Sequence, residues 1–141
     1  MINYNIDTTE NGYHTLTGTV KSLADLKTIL IKNDAIPDLL GSLSVEDITG
    51  VSIFICAEKG LGLHVGITDA EGMHLSLGNK DTLDETVDVW GDGLYISKGL
   101  FVSPRLAWKA LEEYITSQKL CNEVEWITPE DIPEEGNFIE L

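Results

Sequence analysis

Apolar and polar positions alternate from the start of the chain, with Ile2, Tyr4 and Ile6 set against Asn3, Asn5 and Asp7. A period of two sends each set to its own side of a pleated backbone, which predicts a half-buried β-strand. Asn11-Gly12 is a turn signal, and Tyr13 to Val20 reads as a second strand. Ser22 then offers a capping hydroxyl, Asp25 falls in the first turn, and Leu23, Leu26 and Leu30 recur at helical spacing. These predict a short amphipathic helix. From Asn33 to Gly50 the pattern is broken by Pro37 and Gly41, and Ile36, Leu39 and Leu40 are expected to dock the stretch as a short turn of helix.

Strands crowd the middle of the chain. Val51 to Cys56 is β-branched and almost continuously apolar, as a central strand requires. Glu58-Lys59-Gly60 turns into a strand over Leu61 to Thr68, and Asp69-Ala70-Glu71-Gly72 turns into another over Met73 to Leu77. Such short loops join antiparallel neighbours. Thr86 to Trp90 alternates, and Gly91-Asp92-Gly93 returns it through Leu94 to Ser97 as a further hairpin.

The clearest element follows. Ser103 is an N-cap and Pro104 takes the first helical position, where a missing N–H costs nothing. Leu106, Ala107, Ala110, Leu111, Tyr114 and Ile115 fill one half of the helical wheel, with Trp108 at its rim and charged residues opposite. Val124 to Ile127 reads as a short strand with Trp126 packed beneath this helix. The expected fold class is α+β: an antiparallel β-sheet with two main α-helices packed on one face and a short C-terminal strand. Residues 1–127 make a single α+β domain, and 128–141 an acidic irregular tail.

Composition changes this picture in one respect. Twenty-four Asp and Glu face nine Lys and Arg, a formal charge of -15 in 141 residues. Such a field repels nucleic acid and anionic membranes and attracts basic surfaces. The acids also cluster. Asp81, Asp84, Glu85, Asp88 and Asp92 lie in a run with no base between Asp81 and Ser97, and seven acids follow Leu120 without a Lys or Arg. Each run repels itself, a cost that a cationic partner would relieve. No stretch is long and apolar enough to span a bilayer, no leader pattern opens the chain, and two cysteines make no disulfide framework. The expectation is a cytoplasmic protein with free thiols, Cys56 serving as a small core hydrophobe.

Catalytic signals are incomplete. His64 and His74 meet only if a three-residue loop joins their strands, since a two-residue loop sends them to opposite faces. Even together they supply two ligands, so no metal and no cofactor are expected. Gly60, Gly62 and Gly66 open no helix and make no phosphate loop. Carboxylate pairs carry little information in so acidic a chain. Trp90 and Tyr95, flanking a turn inside the acidic run, suit an interface anchor; the alternative is that Trp90 covers the sheet edge.

The second half of the chain resembles the bacterial immunity proteins that neutralise deaminase-fold toxins, the first of the numbered polymorphic-toxin immunity families. The resemblance rests on Leu61 to Thr68, on Met73-His74-Leu75-Ser76-Leu77-Gly78-Asn79, and on Val102-Ser103-Pro104-Arg105-Leu106-Ala107-Trp108-Lys109-Ala110 running through Tyr114-Ile115 to Val124-Glu125-Trp126. It covers roughly 80 residues and extends to little of the first fifty. It departs at Leu120-Cys121-Asn122, where the family commonly has Gly or Pro. The resemblance implies a non-enzymatic antitoxin that binds a secreted antibacterial toxin, a nucleic-acid or nucleotide deaminase, within the producing cell. A toxin with a cationic substrate groove would be blocked by the acidic run, with Asp84, Glu85, Asp88, Trp90, Asp92 and Tyr95 as the expected toxin contacts. The alternatives are an acidic adaptor for another basic protein, or a small-ligand domain built around His64, His74 and Cys56.

Overall fold

The computed structural model describes residues 1–8, 14–31, 38–89 and 94–134. Seven strands form one antiparallel sheet: β1 (Ile2–Thr8), β2 (His14–Val20), β3 (Leu39–Val45), β4 (Ser52–Glu58), β5 (Gly62–Asp69), β6 (Gly72–Leu77) and β9 (Glu125–Ile127). Their spatial order is β2-β1-β3-β4-β5-β6-β9. A separate two-stranded ribbon pairs β7 (Thr86–Val89) with β8 (Leu94–Ser97). Two helices, α1 (Leu23–Leu30) and α2 (Pro104–Ser117), complete the α+β fold, in which strands dominate. No helix among the described residues is long and apolar enough to cross a membrane.

The stretch after Pro37 departs from expectation. Leu39–Val45 is strand β3, inserted between β1 and β4, and not a turn of helix. Leu39 and Leu43 are buried at alternate positions with Ser42 and Ser44 exposed, a period of two that Pro37 and Gly41 obscured. Gly41 is no breaker here. A Cβ at that position would strike Asn5 O and Ile6 Cα, so the glycine lets β1 approach.

Register carries one face across the sheet. Ile6, Ile55, Val65 and their alternates Ile2, Leu43, Ile53 and Ile67 are buried in a cluster with Leu26 and Leu30 of α1 and Ala107, Leu111 and Tyr114 of α2. Trp108, expected at the rim, belongs to this core at 8% exposure, with Lys27 Nζ 5.8 Å from its ring centroid. Ser22 and Ser103 cap the two helices through Asp25 N and Leu106 N, each cap contributing about 1 kcal/mol. Trp126 is half-buried against the same core, its indole N–H donating to Cys121 O at 3.0 Å.

The opposite face is covered over β4 to β6. Cys56 and Phe54 of β4 pack there with Val87 and Val89 of β7 and with Phe101; Leu75 of β6 packs with Leu83 and Leu100. Residues 99–102 are wedged where β6 diverges from β5. Leu63 and Val102 exchange backbone hydrogen bonds of 2.9 and 3.0 Å, and Gly78 N and Asn79 N both donate to Gly99 O. Glycine is demanded on both sides of the wedge, because a Cβ at Gly62 would strike Val102 O and one at Gly78 would strike Phe101 O.

Candidate functional site

Four of the six expected contact residues, Asp84, Glu85, Asp88 and Tyr95, fall on the β7–β8 ribbon and its approach. Asn79 caps a short 3-10 turn, Lys80–Thr82, by accepting from Asp81 N at 2.9 Å. Asp84 and Glu85 follow on an exposed turn. That turn is tied to the end of β8, since Ser97 Oγ donates to Leu83 O at 2.7 Å and Lys98 N donates to Glu85 O at 2.8 Å. The Lys98 ammonium also stands 3.8 Å from the Glu85 carboxylate. Within the ribbon Asp88 faces Tyr95 across the two strands, on the side away from Val87 and Val89, which are turned to the core. Asp88 and Tyr95 are both half-buried. The ribbon thus brings Asp88 and Tyr95 together with Asp84 and Glu85 on its approach, while Trp90 and Asp92 lie outside the described residues. Carboxylates and a phenol on a braced ribbon make hydrogen-bond and charge partners for Lys or Arg.

Beneath the ribbon lies a second constellation that sequence left open. Cys56 and His64 are direct cross-strand partners on β4 and β5, and both are buried. Burial, aided by the charges of Glu58 and Asp38, pushes the Cys56 thiol up to about 12. Burial also lowers the His64 imidazole to about 4, against a smaller opposing contribution from Leu100 O. A thiol that keeps its proton beside a neutral imidazole is the reverse of the thiolate–imidazolium pair of a cysteine nucleophile. The rings of Phe54 and Phe101, with centroids 6.0 and 6.3 Å from that of His64, pack around it. Both side chains are enclosed in the interior.

His74 lies on the other face, as a two-residue loop dictates: Asp69 pairs with Gly72 across Ala70 and Glu71. There its Nε2 meets Asp69 Oδ1 at 3.0 Å, and Glu71 N donates to the same oxygen at 2.9 Å. Tyr114 of α2 donates to Asp69 Oδ2 at 3.1 Å. Burial works to raise the Asp69 pKa, but these three donors outweigh it and hold the carboxyl below its ordinary range. The Tyr114 phenol moves upward for the complementary reason, burial first and the Asp69 carboxylate second. Sequence reasoning paired His74 only with His64 and missed this group, although Asp69, Glu71 and His74 flank one short turn.

Comparison with family models, with curated proteins and with solved structures found no match.

Proposed function

We propose that this chain is an immunity protein: a cytoplasmic, non-enzymatic antitoxin that binds a toxin with a basic substrate groove, of the nucleic-acid or nucleotide deaminase class, and blocks that groove. The observation that carries the reading is the pairing of Asp88 with Tyr95 on a braced ribbon, flanked by Asp84 and exposed Glu85. In a chain of net charge -15, a partner selected by long-range attraction is cationic. The ribbon offers that partner carboxylates and an aromatic ring on a rigid support, the combination that steers encounter and then anchors it. In this reading both helices pack on one side of the sheet and leave the other side to the ribbon. The family-like ending from Val102 to Trp126 supports the same class.

The test is co-expression with the product of the gene immediately upstream. Restored growth together with a stable co-purifying complex supports the reading. A toxic product that remains toxic and fails to co-purify overturns it for that pair, and an acidic adaptor then becomes the better account.

A further inference from the structure

The β5–β6 turn gathers three donor side chains that the ribbon reading leaves unused. Asp69 closes β5, Glu71 is the second residue of the loop, and His74 lies two residues beyond Gly72 on β6. One ligand atom from each lies within 4.8 Å of the others. Asp69 Oδ1 and His74 Nε2 are 3.0 Å apart. Two ligands each about 2.1 Å from one ion in tetrahedral geometry are separated by about 3.4 Å, so this pair need open only by a few tenths of an ångström to chelate. Tyr114, itself buried, fixes the far oxygen of Asp69 from a different element. An outer hydrogen bond of that kind orients a ligating carboxylate.

The surroundings point independently to a cation. The cleft beside these groups holds about 430 Å³ and is lined by Thr49, Gly50, Val51, Tyr114, Gln118 and Leu120 together with Asp69-Ala70-Glu71 and His74. It contains two carboxylates and neither Lys nor Arg. Three other clefts lined by carboxylates each include a base: Lys80 near Glu123 and Glu125, Lys59 near Glu58, and Lys27, Arg105 and Lys109 near Glu112. The final turn of α2 also borders the cleft, the helix ending at Ser117 with Gln118 in the left-handed region at φ 51°. Helix C-termini carry partial negative charge and carbonyls without intrahelical partners.

We propose that Asp69, Glu71 and His74 form a binding site for a divalent transition-metal ion of the zinc and cobalt class. The donor set, one imidazole nitrogen and two carboxylates, suits such borderline ions and leaves at least one position for water or a partner's side chain. Without the ion the Nε2 proton is donated to Asp69. On binding it moves to Nδ1, and the Nε2 lone pair and Oδ1 both turn to the metal. Two carboxylates and a neutral imidazole then balance the ion's double charge. The site stands on the helix-bearing face, so it is independent of the ribbon contact.

The experiment titrates the full chain, freed of metal by chelator dialysis, with zinc chloride by calorimetry and cobalt chloride by visible absorption. One ion per chain is expected, with cobalt bands of nitrogen and oxygen ligation and no thiolate charge-transfer band. His74→Ala and Glu71→Gln each weaken binding at least tenfold, and Tyr114→Phe weakens it about tenfold by freeing the Asp69 carboxylate. Glu71 is exposed on the loop, so Glu71→Gln keeps the test valid should His74→Ala disturb folding. Absence of binding to either ion at millimolar concentration overturns the proposal. So does binding that survives Glu71→Gln and His74→Ala unchanged, which places the ion elsewhere.

Discussion

His64 Nδ1 lies 3.0 Å from Ser76 Oγ inside the protein, and in this contact the histidine is the donor. Ser76 has one hydroxyl proton, which it gives to Leu100 O at 2.9 Å, while it accepts from Val65 N at 3.0 Å. The serine therefore presents only lone pairs to the ring, and the imidazole sits neutral with its proton on Nδ1. One side chain ties β5, β6 and the 99–102 wedge together.

A pH dependence of stability follows from that burial. The folded imidazole titrates at about 4 against an ordinary 6.5. The unfolded chain thus binds the extra proton first as pH falls. Stability is fully present above about 6.5 and is lost progressively down to about 4, by about 3 kcal/mol from this residue. Denaturant unfolding at stepped pH checks it: His64→Phe should flatten this part of the profile, while lowering stability at neutral pH because Ser76 loses a donor.

The wedge makes a contrast between two glycines. Gly78→Ala drives a Cβ into Phe101 O, a fixed backbone atom, and should lower stability by at least about 2 kcal/mol. Gly60→Ala meets open space and suffers only from its φ of +88°, a cost of about 1 kcal/mol. Paired chemical denaturation curves measure the difference.

Thiol chemistry provides a third check. With its thiol raised to about 12 and wholly enclosed, Cys56 should resist alkylation at neutral pH for as long as the fold persists. Mass-resolved labelling with and without denaturant distinguishes it from Cys121. Rapid labelling of native Cys56 would show that the ribbon opens readily.

These checks separate what local pattern revealed from what long-range packing decided. Ser103 and Pro104 announced α2 because capping is local, whereas the faces of His64 and His74 stayed open in the sequence until the register across Ala70-Glu71 was known. Strand β3 was missed because Gly41 reads as a breaker unless its neighbour Asn5 is known. The wedge at 99–102 and the burial of Cys56 under β7 join residues far apart in sequence, which periodicity does not see. Of the expected contacts, the hairpin carrying Asp88 and Tyr95 was legible from alternation and a glycine turn, but their pairing across it was not, because it depends on the register. The Asp69, Glu71 and His74 group went unread, since two of its members are acids in a chain full of them.

The ribbon's part in binding is open to side-chain deletion. Asp88→Ala with Tyr95→Ala should weaken the toxin complex by at least tenfold, mainly through faster dissociation, because a half-buried ring and its paired carboxylate act after encounter. Thermal unfolding of the variant verifies that the fold remains.

In the proposed function, attraction between the negative charge around the ribbon and a cationic partner drives the encounter. Its most direct measurement is the association rate with the co-purifying toxin as a function of salt, for the wild type and for a variant carrying Asp84→Asn, Glu85→Gln and Asp88→Asn. The wild-type rate should fall about tenfold or more from low to high salt, and the neutralised variant should associate slowly with a shallower dependence. A rate indifferent to salt and unchanged in the variant would contradict it.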